Sequence, residues 1–422
     1  MREFRGRPIG EILDRNKGVG LGFDLLRLGL AVLILLSHTS GIIGSSGNIT
    51  AILNWIFGHS QAAAPIASGT IAPTLHANGE GGLSGLGRPV TLSYLPMFFA
   101  LSGFLVTGSA LRTRRLIPFL GLRVLRLIPA LMVEVFLSAV ILGAAYTTLP
   151  LGKYYTSAGF WDYFQNIIGH VHFFLPGVFE GKIVNANLWT LPWEFYCYFF
   201  MSFVIISSLL FRRLWITIAY AFLTVALIIA SLKFNFGITN VQLGGPALVY
   251  YFMTGMMFHI WRDKIIFHEG LFLLSAIICY PLMLRTDTLF VYPIFLTYVT
   301  VFIGVFPFPQ FKILKTGDYS YGIYLYGFPV TQALVASFPG LKGSLALAAV
   351  CAVVTTSLFA AMSWHLVEKH CLKLKRFISP KSAKISEAMH SRAFKSDVAE
   401  PGNGVTKTEE APDRIVGAPN SL

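Results

Sequence analysis

Long apolar stretches separated by shorter polar ones make up most of this chain as far as about residue 366. A helix needs about 20 mainly apolar residues to cross the hydrocarbon core of a bilayer. The segments that meet this requirement lie near 21–40, 91–111, 127–148, 187–211, 214–232, 243–261, 269–285, 288–307, 319–338 and 343–366. The pattern therefore predicts an all-α integral membrane protein, a bundle of about ten transmembrane helices.

The composition excludes several other classes of protein. Of the 422 residues, 55% are hydrophobic and only 13% are charged, whereas a soluble domain carries about 25% charged residues. A soluble enzyme and a disordered chain are therefore excluded. The formal net charge of +13 would suit a nucleic-acid binder, but in a membrane protein it reflects orientation. We expect the lipid bilayer as a partner and no nucleic acid.

The distribution of Lys and Arg predicts the topology. An even number of spans puts both termini on one side, and that side, counted as far as Lys384, carries 22 basic residues against six in the opposite loops. Basic residues accumulate in cytoplasmic loops. Both termini are therefore predicted to be cytoplasmic.

Three regions are predicted along the chain: a cytoplasmic N-terminal segment (1–20), a transmembrane domain (21–372) and a polar, disordered cytoplasmic tail (373–422). Two external connections are long. Residues 41–90 are rich in Gly, Ser and Ala, and residues 149–186 contain an aromatic run that is typical of a short interfacial helix.

Ionisable residues within a span are functional candidates, because they are costly at membrane depth. Arg27 and His38 lie eleven residues apart on the first span, which puts both on one helix face, about 16 Å apart along the axis. Imidazole suits proton transfer at neutral pH. In the alternative interpretation Arg27 reaches the headgroups beside Asp24, and His38 caps the outer end of the span.

Two glutamates also lie within predicted spans. Glu194 sits about two turns into the fourth span, where it is either a neutral structural residue or a carboxylate that orients His38. Glu134 lies two turns beyond Arg126 and can pair with the nearby arginines. We interpret Glu134 as structural.

Arg123 and Arg126 are i and i+3 neighbours in an arginine-rich stretch, 111–131, that is predicted to be cytoplasmic. Two guanidiniums on one helix face suit the phosphates of a cofactor at the cytoplasmic mouth. Anionic lipid would satisfy them equally well, and position alone favours the lipid. No metal site is expected, because neither the four dispersed cysteines nor His170 and His172 form a ligand set.

Several stretches together resemble the acyltransferase-3 family of integral-membrane O-acyltransferases. FDLLRLGLAVLILLSH is similar to the family's first span, with a basic residue, ten residues and then His; here these are Arg27 and His38. RVLRLIPA resembles the RxxR motif through Arg123 and Arg126, and LWTLPWEFYCY resembles the LWxLxxE segment through Glu194. LPMFFALSGFLV resembles the family's second span, GDYSYGIYLYGFPV its late SYGxYL motif, and SWHLVEKHCLK its closing F/V-E-K element.

The chain departs from the family pattern in three respects. The late motif often has His before the Pro, whereas here Gly327 precedes Pro329, so no role passes to that position. The 41–90 connection is longer than usual. The appended esterase-like domain of some relatives is not expected, so the chain would be a standalone acyltransferase.

The resemblance implies a function. An acyl group, usually acetyl, would move from cytoplasmic acetyl-CoA to a hydroxyl of a cell-surface or secreted glycan, lipid-linked or free, at the bacterial inner membrane. His38, Glu194 and Arg27 would form the catalytic group, and Arg123 and Arg126 would bind the cofactor.

Two other classes of function remain open on the residues alone. A multi-span transporter or flippase for a lipid-linked glycan would also carry intramembrane charges, although the sequence has no matched halves. A polysaccharide-assembly scaffold without catalysis would tolerate the loss of His38.

Overall fold

The computed structural model describes residues 4–16, 20–44, 87–113, 115–234, 238–239, 242–285, 288–309 and 316–378. Residues up to Ile378 form one compact unit. Most of the predicted 41–90 loop, and the tail from residue 379 onward, lie outside the described residues.

A short N-terminal helix, α1 (Ile9–Arg15), precedes the first long helices, which are α2 (Phe23–Ile43), α3 (Arg88–Thr113) and α4 (Leu116–Phe136). α2 ends where Gly44 adopts a left-handed conformation with φ of 67°, which costs glycine little. α4 continues through a π-helical turn (Leu137–Leu142) to Tyr146.

The 149–186 connection is folded. It contains α5 (Leu151–Thr156) and α6 (Ala158–Asp162), followed by a 3₁₀ turn (Tyr163–Ile168). Trp161 is 63% exposed there, as expected of an aromatic residue at a membrane interface.

The second half of the chain is also helical. Two more 3₁₀ turns follow, Phe179–Gly181 and Ala186–Thr190, and the latter leads into α7 (Leu191–Ile206). The elements that follow are α8 (Arg213–Phe234), a two-residue antiparallel pair β1 (Ile238–Thr239) and β2 (Gln242–Leu243), α9 (Gly245–Ile260), α10 (Glu269–Met283), α11 (Pro293–Val305), α12 (Ser320–Ser337), α13 (Leu345–Ser363), a π-helical turn (Trp364–Glu368), α14 (Lys369–Lys373) and α15 (Lys375–Ile378).

Each of the ten predicted segments coincides with a helix, so the all-α membrane class is confirmed. Within the described residues, six helical stretches are long and apolar enough to cross a membrane: Phe23–Ile43, Pro89–Thr113, Leu116–Tyr146, Ala186–Ile206, Arg213–Phe234 and Leu345–Ile378. α10 and α11 are apolar but shorter. The count of ten crossings and the orientation of the termini stay predictions.

One predicted boundary was wrong. The third span was placed at 127–148, but the helix that contains it, α4, begins at Leu116, so Arg123 and Arg126 lie on that same helix. Phe119 and Leu127 are buried on either side of the arginines. Arg123 and Arg126 lower the mean hydropathy of this stretch, although the fold turns both side chains inward.

α3 and α9 cross at two glycines. A Cβ atom on Gly103 would lie 1.9 Å from the carbonyl oxygen of Phe252, and one on Gly255 would lie 1.9 Å from that of Ala100. Small residues allow membrane helices to approach closely. This crossing anchors the larger core cluster, in which Tyr251 and Phe252 are fully buried.

α2 and α12 run parallel to each other. Arg27 near the start of α2 contacts Asp318 just before α12, and His38 contacts Phe328 further along both helices. The face of α2 that was predicted to carry Arg27 and His38 is therefore the face that meets α12.

The polar segment before α7 is tied to α12 at a proline. Pro329 has no N–H, so the carbonyl of Leu325, four residues earlier, lacks its helical donor. Asn185 Nδ2 donates to that carbonyl at 3.0 Å. The hydroxyls of Thr190 and Tyr324 are also hydrogen-bonded, at 2.6 Å. These bonds fix the start of α7, and with it Glu194, against α12.

Candidate active site

Asp318 joins three helices. Its Oδ2 atom lies 3.1 Å from Nη1 of Arg27 on α2 and also accepts from Nη2 of Arg126 on α4. The hydroxyl of Ser320, on α12, donates to Oδ1 at 2.6 Å. One carboxylate therefore holds two guanidiniums, which the chain brings together from distant positions.

The charges around Asp318 set its ionisation. Burial alone would raise the pKa of Asp318, but Arg126 and Arg27 hold that pKa well below its usual range. Asp24 adds a second carboxylate, with Oδ1 3.6 Å from Nη1 of Arg27. The local pairing of Asp24 with Arg27 is confirmed, but Arg27 does not depend on it alone.

Arg123 lies one helical turn before Arg126 on α4. Its Nη2 donates to the hydroxyl of Ser109 on α3 at 3.1 Å. Its Nε is buried without a hydrogen-bond partner among the described residues. A guanidinium with an unused donor retains capacity for a further ligand.

Glu194 lies in the first turn of α7, and its Oε1 accepts from the hydroxyl of Tyr198 at 2.6 Å. The carboxylate also interacts electrostatically with Arg126 and Arg123. The structure thus brings Glu194 into the same neighbourhood as the arginines. The predicted pairing of Glu194 with His38 stays a prediction.

His38 is half-buried near the far end of α2. Its ring meets the ring of Phe328 edge to face, with centroids 5.2 Å apart. An edge-to-face contact restrains the plane of the imidazole without consuming both ring nitrogens.

Glu134 does not join the arginines. It is fully buried, and its Oε1 accepts from Ser138 and Asn185, each at 2.8 Å. Glu134 therefore does not pair with the arginines, as had been suggested, but accepts from neutral donors. It lies two helical turns further along α4 than Arg126. It ties α4 to the segment before α7.

Glu368 supplies a further buried carboxylate. Its Oε1 accepts from Ser363 at 3.0 Å, and Tyr326 on α12 donates to Ser363 at 3.1 Å. Glu368 interacts electrostatically with Arg126 and Asp318. It is 2% exposed and lies in the π-helical turn after α13.

Four residues of this site were not predicted as site residues: Ser109, Tyr198, Asp318 and Glu368. Asp318 and Glu368 do lie in stretches that resemble family motifs. Both are acidic residues at the end of a predicted span. Since other spans contain basic residues, this position could have indicated an ion pair between spans. Among the described residues, no group of three or more His, Cys, Asp or Glu side chains is arranged to hold a metal ion.

Comparison with known proteins decides the class of this site. The family model described as "Acyltransferase domain" of the acyltransferase-3 type matches residues 21–364. The chain belongs to the acyltransferase-3 family. An O-acetyl transferase of Shigella phage Sf6 is 27% identical over 307 residues, which cover 69% of this chain and 86% of that protein. No solved structure matches.

The resemblance in the sequence is thereby confirmed. This membrane protein is an acyltransferase, and its relative supports O-acetyl transfer as the reaction. All the residues placed in the site except Glu368 fall within the matched range. Roles in catalysis or cofactor binding stay predictions for the five predicted site residues, which are His38, Glu194, Arg27, Arg123 and Arg126. The structure shows which side chains each of them contacts.

Proposed function

We propose that the protein is an O-acetyltransferase of the bacterial inner membrane. It moves an acetyl group from cytoplasmic acetyl-CoA to a hydroxyl of a cell-surface or secreted glycan, lipid-linked or free. One observation carries the proposal: α2 presents Arg27 and His38 to α12, and Arg126 of α4 reaches the same end of that contact through Asp318.

The residues present suit an acyl-CoA donor. CoA is polyanionic, and guanidiniums bind phosphates with two parallel hydrogen bonds. Arg123 has a buried Nε without a partner among the described residues, whereas Arg126 already binds Asp318. Arg123 therefore binds phosphate directly, and Arg126 contributes charge while it holds α12 in place.

His38 provides the proton chemistry by one of two routes. In direct transfer, His38 takes the proton of the acceptor hydroxyl while that oxygen attacks the thioester carbonyl; the C–S bond then breaks, and CoA leaves as the thiol with the proton from His38. In covalent transfer, a ring nitrogen attacks the thioester carbonyl, the C–S bond breaks, and CoA leaves as the thiol with the proton of the other ring nitrogen; the acceptor hydroxyl then attacks the acetyl-imidazole, the C–N bond breaks, and the hydroxyl proton returns to the ring.

Glu194 and Arg27 support both routes electrostatically. A carboxylate near the site stabilises an imidazolium or passes its proton on, and Tyr198 keeps Glu194 in one orientation. Arg27 lies about 16 Å from His38 along α2, so it holds the polyanionic cofactor through its charge. Because Asp318 and Asp24 restrain Arg27, this cation is already in position before the substrates bind.

The test uses purified protein in lipid nanodiscs with acetyl-labelled acetyl-CoA. We expect thiol release, and transfer of the label to a glycan extracted from the native membrane, that are lost in the His38→Gln variant. Mass spectrometry of surface glycans with and without the gene should show the loss of an acetyl mass. Unlabelled glycan with the wild-type protein, together with an unchanged surface-glycan mass, would refute the proposal.

A further inference from the structure

A second group of basic side chains lies where the end of α3 meets the end of α9. It consists of Arg112, Arg123 and Arg262, which we call the arginine cluster, and His259 lies among them. The guanidinium of Arg112 interacts electrostatically with those of both Arg123 and Arg262. Three like charges are therefore close together at one end of the bundle.

Gly108 makes room for this arrangement. A Cβ atom there would lie 2.8 Å from Cε1 of His259 and 3.4 Å from Nη1 of Arg112. The imidazole and the guanidinium thus pack over the same backbone position of α3. His259 Nε2 lies 2.6 Å from Nη1 of Arg262 and accepts from it as a neutral imidazole. These contacts hold the side chains in defined positions.

Among the described residues, no carboxylate is hydrogen-bonded to the cluster, although Glu194 interacts electrostatically with Arg123. Arg112 has no hydrogen bond or ion pair within the described part of the chain, and Arg123 bonds to a neutral hydroxyl. Arg262 has an acidic neighbour, Asp263, at 3.8 Å, but Asp263 bonds more closely to Arg213, at 3.0 Å. The Nε atoms of Arg123 and Arg262 are buried and have no hydrogen-bond partner within the part of the chain that the structure describes. Unpaired, partly desolvated cations are costly, and an anion would relieve that cost.

We propose that the arginine cluster binds the phosphate groups of the acyl donor, with Arg112 and Arg262 as phosphate ligands beyond the two arginines of the RxxR motif. This inference rests on the proposed function for the identity of the ligand. Arg123 connects the cluster to the site, because it also interacts electrostatically with Arg27 and Glu194. Phosphates held at the cluster leave the pantetheine arm to extend past Arg123 towards His38.

The same chemistry would suit the phosphate of an anionic lipid. The donor is favoured because the cluster is continuous with the interior: Arg123 is common to the cluster and to the acyl-transfer site. Arg112 is exposed, as a lipid ligand would be, but the Nε atoms of Arg123 and Arg262, which have no hydrogen-bond partner among the described residues, are buried beyond the reach of a lipid headgroup at the bilayer edge.

The experiment measures the Kd of CoA and of inorganic pyrophosphate for the full-length protein in nanodiscs of neutral phosphatidylcholine. Arg112→Gln and Arg262→Gln should each weaken CoA binding about tenfold, the loss expected for one charge-assisted hydrogen bond. Arg112→Lys should recover part of the loss, since it keeps the charge without the fork. Arg15→Gln is the matched control, because Arg15 is exposed and pairs with Glu11; its Kd should stay within about twofold.

Thermal unfolding of each variant shows whether it is folded, and acetyl transfer is measured in parallel. Wild-type affinity for CoA in the Arg112 and Arg262 variants overturns the cluster proposal, even if acetyl transfer persists and the proposed function stands. Cluster-dependent CoA binding without any transfer supports the cluster and refutes the proposed chemistry. If the wild type binds neither CoA nor pyrophosphate but retains added phosphatidylglycerol through Arg112, the cluster is a lipid site and the proposal fails.

Discussion

Arg27 and Arg126, on different helices, bind the same oxygen atom of Asp318. Asp318→Asn should therefore remove the counter-ion that two partly buried guanidiniums share, and leave Arg27 with Asp24 at 3.6 Å. We expect a loss of about 1.5–3 kcal/mol in the free energy of unfolding, the range for hydrogen bonds to charged groups, and a large fall in acetyl transfer. Thermal unfolding and thiol release in nanodiscs measure both effects.

Glu11 gives the matched control for Asp318. Its Oε1 also holds two arginines, Arg7 at 2.8 Å and Arg15 at 2.9 Å, but the carboxylate is 43% exposed. Glu11→Gln should cost less than about 1 kcal/mol and leave acetyl transfer unchanged. Equal effects of the two substitutions would contradict the role assigned to Asp318.

The contribution of Asp318 to stability should depend on pH in one direction. Its pKa is lower in the folded protein than in the unfolded chain, where a value of about 3.9 is usual. The stabilisation is therefore complete above about pH 5 and is lost as the pH falls towards the folded pKa. The difference in Tm between the wild type and Asp318→Asn should be constant from neutral pH down to about pH 5 and shrink only below it. A difference that disappears at neutral pH would contradict this assignment.

Substitution of His38 should separate chemistry from folding. His38→Gln should reduce acetyl transfer by about 10²–10⁴-fold, the usual contribution of a general acid or base, with little change in Tm. Phe328→Leu keeps the imidazole but removes the ring contact, so a smaller loss is expected. Labelled acetyl on His38 in the absence of acceptor would identify the covalent route, and repeated failure to find it would favour direct transfer.

Tyr198→Phe tests the orientation of Glu194. The substitution removes the hydroxyl that donates to Oε1 of Glu194, and we expect kcat to fall about tenfold with a smaller change in KM. Tyr220→Phe is a suitable control, because Tyr220 bonds to Thr254 and Tyr250 away from the site. That variant should lose stability and keep its specific activity.

The crossing of α3 and α9 predicts a large difference between two glycines. Gly255→Ala would put a Cβ atom 1.9 Å from the carbonyl oxygen of Ala100, and overpacking of this kind costs about 1–3 kcal/mol. Gly29→Ala is the control, since no described atom apart from the chain neighbours and the backbone of its own helix lies within 4 Å of the position its Cβ would take. Only the Gly255 variant should have a clearly lower Tm. Equal Tm values for the two variants would show that α3 and α9 can move apart at little cost.

Part of the site could be predicted from the sequence, because Arg27 and His38 share one helix and Arg123 and Arg126 share another. The spacing of Arg27 and His38 predicted a shared face, and that face meets α12. The i and i+3 spacing of Arg123 and Arg126 put both on α4, but it did not reveal that Arg126 binds Asp318 while Arg123 binds Ser109. Neighbours on one helix follow from helical geometry, whereas partners on another helix depend on packing.

The sequence by itself determined that this is a membrane protein, because a chain with 13% charged residues and repeated apolar stretches must bury those apolar stretches in lipid. It also determined the helical segments and, with the family motifs, the class of reaction. Only the tertiary structure decided which charges meet. Asp318, Arg27 and Arg126 are far apart in the chain, and their contact depends on how α2, α4 and α12 pack, which no periodicity along one segment records.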